Sequence, residues 1–513
     1  MATATPFPSP TDLVIEVKNP NTGELVGTVA DHGPAEVDAA IARARTASHR
    51  WGAMSHAQRR KDLGAFRRAL AANAETLAEL IHRETGKPKV DAMAEVLLAI
   101  QHLAHAASRA EKVLEERTVS SGLLANLKST VSYRPLGVVG VIGPWNYPIF
   151  TPMGSIAYAL AAGNAVVFKP SELTPLVALE VSRLALDTLS VPDTLQVVTG
   201  RGPAGAALAR GAIDKLAFTG SPATGRKVMA AAAERLTPVL LELGGKDPMI
   251  VLPDADLDKA AEAAVFGAMT NAGQACVSIE RCYVHASIYD RFVDKVVAEV
   301  NSLRLGGPDA QIGHITLGAQ VEIIRRHLDD AKKKGAKLLT GDQGGDGPIA
   351  GNFVHPTVLV DVTDDMLVMT EETFGPLLPI SRVTDTNEAL LRANKTKYGL
   401  GAAVFGKSGA RELADKIASG MTAINTVLAF GSVPGLPFGG VGESGFGRIH
   451  GDEGLREFSR TKSTVEQRFA LPMNPFTFRT PPNLYDQLKG MAEKLYGSAV
   501  LDKAGEVLKR FGL

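Results

Sequence analysis

Through the first third of the chain, apolar and polar positions alternate with a helical period. In "PAEVDAAIARARTASHRWGAM" and "SHAQRRKDLGAFRRALAANAETLAELIHRETG" the apolar residues recur every three or four places, which gives a helix one buried stripe. Ser55 and the run Asn73-Ala74-Glu75 offer helix starts, and Gly86 ends the pattern ahead of Pro88. After "VSYRPLG" the texture changes. Strands are predicted over Val138–Ile142, Ala165–Lys169, Leu195–Val198 and Lys215–Thr219, with helices between them over Ile149–Ala161, Pro175–Leu189 and Pro203–Ala209. Alternation at this spacing predicts a parallel sheet covered on both faces, an α/β fold.

A second region of the same texture runs from about Met249 to Ala429. It is predicted to hold the helix "DLDKAAEAAVFGAMTNAG", strands at Arg281–His285 and Ala402–Phe405, and helices near Ile288–Ser302 and Gly409–Ser419. "TGDQGGDGPIAG" reads as an exposed turn. The chain closes with the Pro-rich "LPMNPFTFRTPPN" and a segment in which Leu484, Leu488, Met491, Leu495, Val500, Leu501, Ala504, Val507, Leu508 and Phe511 keep helical spacing. Charges along it nearly cancel, so a helix packed on its own subunit or a neighbour is expected. The alternative, a helix lying in a membrane interface, usually carries a stronger basic face.

One stretch, Pro135 to Phe168, has no charged residue for 34 positions. Pro144, Pro148, Pro152 and Gly163-Asn164 cut it into pieces shorter than the roughly 20 residues of a membrane helix. It reads as buried strand, helix and strand. Lys+Arg and Asp+Glu are both 55, so no net field draws the chain to nucleic acid or to an anionic membrane. Two cysteines in 513 residues argue against a secreted disulfide scaffold and for a reducing compartment. "MATATPFPSP" lacks the basic start and apolar core of a signal peptide, and a cytoplasmic protein is expected.

Those cysteines, Cys276 and Cys282, share the stretch "NAGQACVSIERCY". Cys276 stands in a Gly-containing turn after a helix, where a rigid scaffold can present a reactive group; a buried, inert thiol is the plainer reading. Cys282 fits a core strand. No second pair of metal-ligand spacing accompanies them, so no metal is expected. His102 and His105, at i and i+3, fit a polar helix face at least as well as a site. Glu242 in "LLELGGKDP" sits among leucines, as an ion-pair partner or as a base whose pKa burial raises. Asn146 in "GPWNYP" is either an amide donor into a site or an ordinary turn asparagine. "FTGSPATG" ends a strand and opens a helix, a start that suits phosphate.

Seven blocks in order, "GPWNYP", "KPSELTP", "FTGSPATG", "LELGGKDP", "NAGQAC", "EETFGP" and "LPFGGVGESGFGR", resemble the aldehyde dehydrogenase superfamily over roughly residues 18 to 468. The last block looks closer to the class-3-like and related branches. The resemblance implies a Rossmann-type dinucleotide-binding domain, an α/β catalytic domain and a small β oligomerisation flap. The expected bounds are 1–119 with 138–246, then 247–445, then 120–137 with 446–468, and a C-terminal extension over 469–513. It implies oxidation of an aldehyde to the acid, with Cys276 as nucleophile, Asn146 as oxyanion donor with the Cys276 backbone N–H, and Glu242 as the base that activates water. Lys169 and Glu172 match contacts to the adenosine ribose, Gly220 and Ser221 the helix start beneath the pyrophosphate, and Glu372 and Phe374 contacts to the nicotinamide half. Trp145 and Gly244 also match cofactor-binding positions. A carboxylate at Glu172 favours NAD, with NADP possible.

Tyr147, Phe150, Thr151, Gly154, Ala275, Val277 and Phe430 are expected around the substrate. They are mostly apolar, which favours aliphatic or aromatic aldehydes over semialdehyde acids unless Arg281 or Arg448 reaches in. Gly154, small where several relatives carry an aromatic residue, suggests a wide pocket. "RTKSTVEQ" matches the strand that extends a partner's sheet, so a homodimer or homotetramer is expected. Alternatives are a semialdehyde dehydrogenase, a CoA-acylating enzyme, against which Glu242 speaks, and a non-catalytic protein that has kept the fold.

Overall fold

The computed structural model describes residues 14–307, 309–341, 347–471 and 476–497. The start "MATATPFPSP", parts of the Gly/Asp-rich and Pro-rich turns, and the tail positions Val500, Leu501, Ala504, Val507, Leu508 and Phe511 lie outside them. Two compact units form, one from residues up to Glu115 with Tyr133–Thr461, the other from Glu116–Ser132 with residues from Lys462 on.

The larger unit begins with an antiparallel hairpin, Val14–Lys18 against Leu25–Ala30, which the helical reading of the N-terminal third did not include. Four helices follow, Pro34–Ala53, His56–Ala72, Ala74–Thr85 and Lys89–Val113. Their ends are set locally. The Ser55 hydroxyl accepts from the Gln58 amide while the Gln58 side chain accepts from the Ser55 N–H, a reciprocal cap. Gly86 takes the left-handed conformation, φ 78°, that ends the third helix. The fourth buries a stripe at Ala92, Val96, Ala99, Leu103, Ala106 and Ala110, and Glu95 and His102 lie on that same face.

Two sheets carry the rest. The first has six strands in the order Gly445–Phe446, Val239–Glu242, Lys215–Thr219, Val138–Ile142, Ala165–Lys169 and Leu195–Val197. All pair in parallel except the first. Val138–Ile142 lies beside Lys215–Thr219, with strands added outward from each in opposite directions, so the topology switches between them. The second has seven strands, Lys337–Leu338, Thr357–Val360, Leu377–Val383, Ile279–His285, Asp247–Val251, Ala403–Phe405 and Ala423–Ile424, parallel but for the outermost pair at its start. The chain leaves the first sheet at Glu242 and enters the second at Asp247. The uncharged stretch is a buried strand, a buried helix (Phe150–Ala161) and a second buried strand. No helix of the described residues is long and apolar enough to cross a membrane.

Two expectations change. The helix expected over Gly409–Ser419 spans only Ala410–Ala414, because the Asn394 side chain captures Ala418 N and Lys416 O and turns the chain there. Residues 446–461 belong to the larger unit, not to a flap. Gly445 and Phe446 pair with Glu242 and Leu241, and Leu455 and Phe458 enter the core. The smaller unit holds most of a three-stranded sheet, whose edge strand Ser459–Gln467 begins in the larger unit and is exposed almost throughout, and a helix, Leu484–Tyr496, with no buried residue.

Candidate active site

Ile142, Lys169, Thr219 and Glu242 are the last residues of four neighbouring parallel strands, and all four line one cavity of about 1070 Å³. A crevice at the carboxyl ends of parallel strands, beside a topological switch, is where open α/β sheets take nucleotides. All eight expected cofactor positions, Trp145, Lys169, Glu172, Gly220, Ser221, Gly244, Glu372 and Phe374, lie on its wall. The Lys169 ammonium donates to Pro170 O at 2.6 Å and stands 3.8 Å from the half-exposed Glu172. The helix Pro222–Ala233 starts at the cavity, with the Ser221 hydroxyl capping Thr224 N. A Cβ at Gly220 would meet the Phe218 ring at 2.7 Å, so the bare backbone is required there. Trp145 and Phe374 meet edge to face at 5.5 Å. Residues present and space available fit a dinucleotide.

Cys276, Glu242, Asn146 and Thr151 also line this cavity. Cys276 lies in the turn between the helix Leu257–Met269 and the strand Ile279–His285. Asn271 and Ala272 in that turn have φ 50° and 55°, left-handed values that ordinary side chains rarely adopt. Asn146 Nδ2 donates to Gln274 O at 2.9 Å, and Asn271 Nδ2 donates back to Asn146 O at 3.1 Å. Gln274 is itself fixed, donating to Asn271 O and His314 O and accepting from Thr316 N. The amide of Asn146 is therefore bonded directly to the thiol's turn. Cys282 is fully buried in its strand.

Glu242 is buried with neither carboxyl oxygen in a well-formed hydrogen bond. Burial raises its pKa to about 8, opposed only by the neighbouring Cys276 thiol. The Cys276 thiol is pushed well up by burial and then by Glu242, Asp247 and Glu372. Glu372, whose Oε1 accepts from Gly245 N at 3.0 Å, is raised to about 8 by burial and by Glu280. At rest the site holds a thiol among carboxyls that are largely protonated.

The expected substrate positions divide. Thr151 lines the cavity. Tyr147 and Phe150 stack edge to face at 6.2 Å beside it, and Phe430 packs on Phe438 at 6.3 Å. Ala275 is buried and Val277 half-buried against the core. Gly154 does not open a wide pocket, because its space is taken: a Cβ there would meet His450 Nε2 at 2.5 Å. Nor is His102 on a polar face. It is buried, stacked on His450 with centroids 3.8 Å apart, and its Nε2 lies 3.1 Å from Gly431 O. Arg281 is buried with its guanidinium bonded to Lys246 O, Arg392 O and Ala393 O, and Arg448 donates to Gly440 O and Gly447 O. Neither reaches the cavity.

The sequence model of the aldehyde dehydrogenase family matches residues 8–464. The chain belongs to that family. It is 40% identical over 495 residues to a 4,4'-diapolycopene aldehyde oxidase of Methylomonas sp, covering 94% of this chain and 91% of that one. It is 37% identical over 482 residues to the peroxisomal aminoaldehyde dehydrogenase 2 of Pisum sativum, covering 91% and 95%. Among solved structures, PnpE from Pseudomonas sp. WBC-3 in complex with nicotinamide adenine dinucleotide superposes with a TM-score of 0.85 at 34% identity, covering 90% of this chain and 96% of that one. This aldehyde dehydrogenase is an oxidoreductase that oxidises aldehydes with NAD(P) as acceptor.

Two buried ion pairs at the site went unread in the sequence. Lys246 Nζ pairs with Glu280, whose carboxylate also accepts from Thr373 N and Phe374 N and so holds Phe374 at its left-handed φ of 52°. Lys87 pairs with Glu95 on the other side. Glu95 had a visible signal, a charge inside the apolar stripe of its helix.

Because Glu242 raises the Cys276 pKa, Glu242→Gln is expected to speed alkylation of Cys276 by iodoacetamide in the cofactor-free enzyme at pH about 8, by moving thiolate formation to lower pH. A rate–pH profile that is unchanged, or slower in the variant, would show that the carboxyl does not suppress the thiolate.

Proposed function

We propose that Cys276, Asn146 and Glu242 perform the oxidation, and that the enzyme prefers NAD and an apolar aldehyde. The observation that carries the reading is the convergence of these three side chains on one cavity with the cofactor-binding positions. The Cys276 thiol gives up its proton to water, the thiolate sulfur adds to the aldehyde carbon, and the carbonyl electron pair moves onto the former carbonyl oxygen as negative charge. Asn146 Nδ2 keeps a second N–H beyond its bond to Gln274 O, and this hydrogen with the Cys276 backbone N–H stabilises that oxygen. When bound, the nicotinamide supplies a hydride acceptor. Loss of hydride from the Cys276 adduct leaves a thioester on sulfur. Glu242 then takes a proton from water as its oxygen attacks the thioester carbon, the carboxylic acid departs and the thiol is restored. Trp145 and Phe374, which meet edge to face on the cavity wall, would hold the nicotinamide half, and Glu372 would hold its ribose.

Glu172 supports NAD over NADP, since a carboxylate can accept from a ribose 2′-hydroxyl and repels a 2′-phosphate. The mostly apolar residues at the expected substrate positions, and the engagement of Arg281 and Arg448 elsewhere, support an apolar aldehyde over a carboxylate-bearing one. The relative named a 4,4'-diapolycopene aldehyde oxidase points the same way. We also propose a homo-oligomer, supported by the exposed edge strand Ser459–Gln467, whose free backbone groups suit pairing with another chain.

Cys276→Ser is expected to abolish NADH formation, and robust turnover by it would remove the nucleophile assignment. Glu242→Gln is expected to keep the first, acylating turnover while steady-state kcat falls roughly 10²- to 10⁴-fold, as loss of a general base does. The base works only when ionised. With its pKa raised to about 8, hydrolysis of the thioester should increase as pH rises through about 8 and flatten above it; a rate independent of pH from 6 to 9 speaks against Glu242.

Glu172→Ser should lower the KM for NADP relative to NAD by about tenfold, one charge repulsion of roughly 1.4 kcal/mol. An unchanged cofactor ratio would place the discrimination elsewhere. Light scattering is expected to return at least twice the 54.0 kDa of one chain, and a monomer at micromolar concentration would refute the oligomer.

A further inference from the structure

The loop that presents Asn146 carries its own support, and that support comes from the N-terminal helices. Lys87 follows Gly86, just before the helix Lys89–Val113. Its ammonium is buried and makes three contacts: Glu95 Oε2 at 2.7 Å, Asn146 O at 2.7 Å, and the Tyr147 ring, whose centroid is 4.0 Å away. Glu95 is likewise buried, and its other oxygen accepts from Ile149 N at 2.9 Å and Phe150 N at 3.2 Å. One ion pair thus holds both ends of the five-residue segment from Asn146 to Phe150. Asn146 O also accepts from Asn271 Nδ2, in the turn that carries the thiol. Asp91, one turn before Glu95 on the same helix, has its pKa raised by burial, against which Lys87 and then the Asn271 backbone N–H pull it down.

Burying an ion pair is a weak source of stability, because desolvation of both charges offsets most of their attraction. Such a pair does fix geometry, since each of its donors and acceptors has one position that satisfies it. We propose that Lys87 and Glu95 are positioning residues for the oxyanion donor. They hold the Asn146 amide at the height and angle at which its free N–H meets the oxygen of the Cys276 adduct. This rests on Asn146 being that donor. Displacing a catalytic group by about 1 Å costs on the order of 10² in rate, and losing one oxyanion donor costs about 10²- to 10³-fold.

The test is a double-mutant cycle read in single turnovers. The neutral pair Lys87→Met/Glu95→Gln conserves volume and leaves no unpaired buried charge. It is expected to slow single-turnover NADH formation roughly 10- to 100-fold. NAD affinity and the rate of Cys276 alkylation by iodoacetamide, neither of which uses the oxyanion donor, should stay within about twofold. In an Asn146→Ala background the same pair change should cost less than about threefold more, because its target is already gone.

Full single-turnover rate in the neutral pair overturns the proposal. So does an equal loss in both backgrounds, or a parallel fall in alkylation or NAD binding, each of which marks a general structural role. Wild-type rate in Asn146→Ala alone instead removes the oxyanion assignment, and the proposal with it. If the neutral pair cannot be recovered folded, Lys87→Arg carries the test. It keeps the charge but presents donors in a planar fork, and should slow single turnovers while leaving alkylation unchanged; no slowing overturns the proposal.

Discussion

Three backbone segments approach one another around Cys276 too closely for side chains, and the site depends on that contact. A Cβ on Gly245 would lie 2.5 Å from Cys276 O, one on Gly244 would lie 2.2 Å from the Glu372 carboxyl, and one on Gly273 would lie 2.2 Å from Gly375 O. The glycines let the crossing between the two sheets, the thiol's turn and the segment around Glu372 share one small volume. Sheet geometry then delivers Glu242 at a strand end, while the strained residues Asn271, Ala272 and Phe374 complete the turn. Strain at those positions is sustained by surrounding bonds, chiefly those of Glu280 and Gln274.

The electrostatics follow from the same crowding. Glu242, Asp247 and Glu372 are each raised to about 8, with burial as the largest cause. The permanent charges nearby are paired, Lys246 with Glu280 and Lys87 with Glu95. The thiol therefore faces a surround of low net charge while those carboxyls hold their protons, and the negative charge that Glu242 gains on ionising opposes a thiolate at Cys276. Reactivity waits on whatever enters the cavity, which restrains a half-buried nucleophile until then.

Much of this was legible from the sequence because it is local. Strand bounds over Val138–Ile142, Ala165–Lys169 and Lys215–Thr219 follow from apolar runs between turns, and the cap at Ser55 and the stop at Gly86 follow from single residues. Cys276, Glu242 and Asn146 could be nominated because ordered blocks surround them, while their proximity is a tertiary fact. What stayed hidden was long-range. Nothing near Gly154 says that His450 fills its space, and nothing near Ala414 says that Asn394 will end the helix. His102 looked like a surface residue because its partner histidine lies in the last quarter of the chain. Lys87 reads as one more loop lysine until Glu95 is recognised as a charge on a buried face.

The contact between Gly154 and His450 has a consequence for how this enzyme can vary. The two positions share one volume, so they form a coupled pair in which size can pass from one to the other but cannot be added to both. His450 reaches its place at φ 63° and buries both ring nitrogens without partners, so the imidazole is held by shape and aromatic stacking alone. An aromatic ring at 154 therefore requires the His450 imidazole to be displaced or replaced by a smaller side chain.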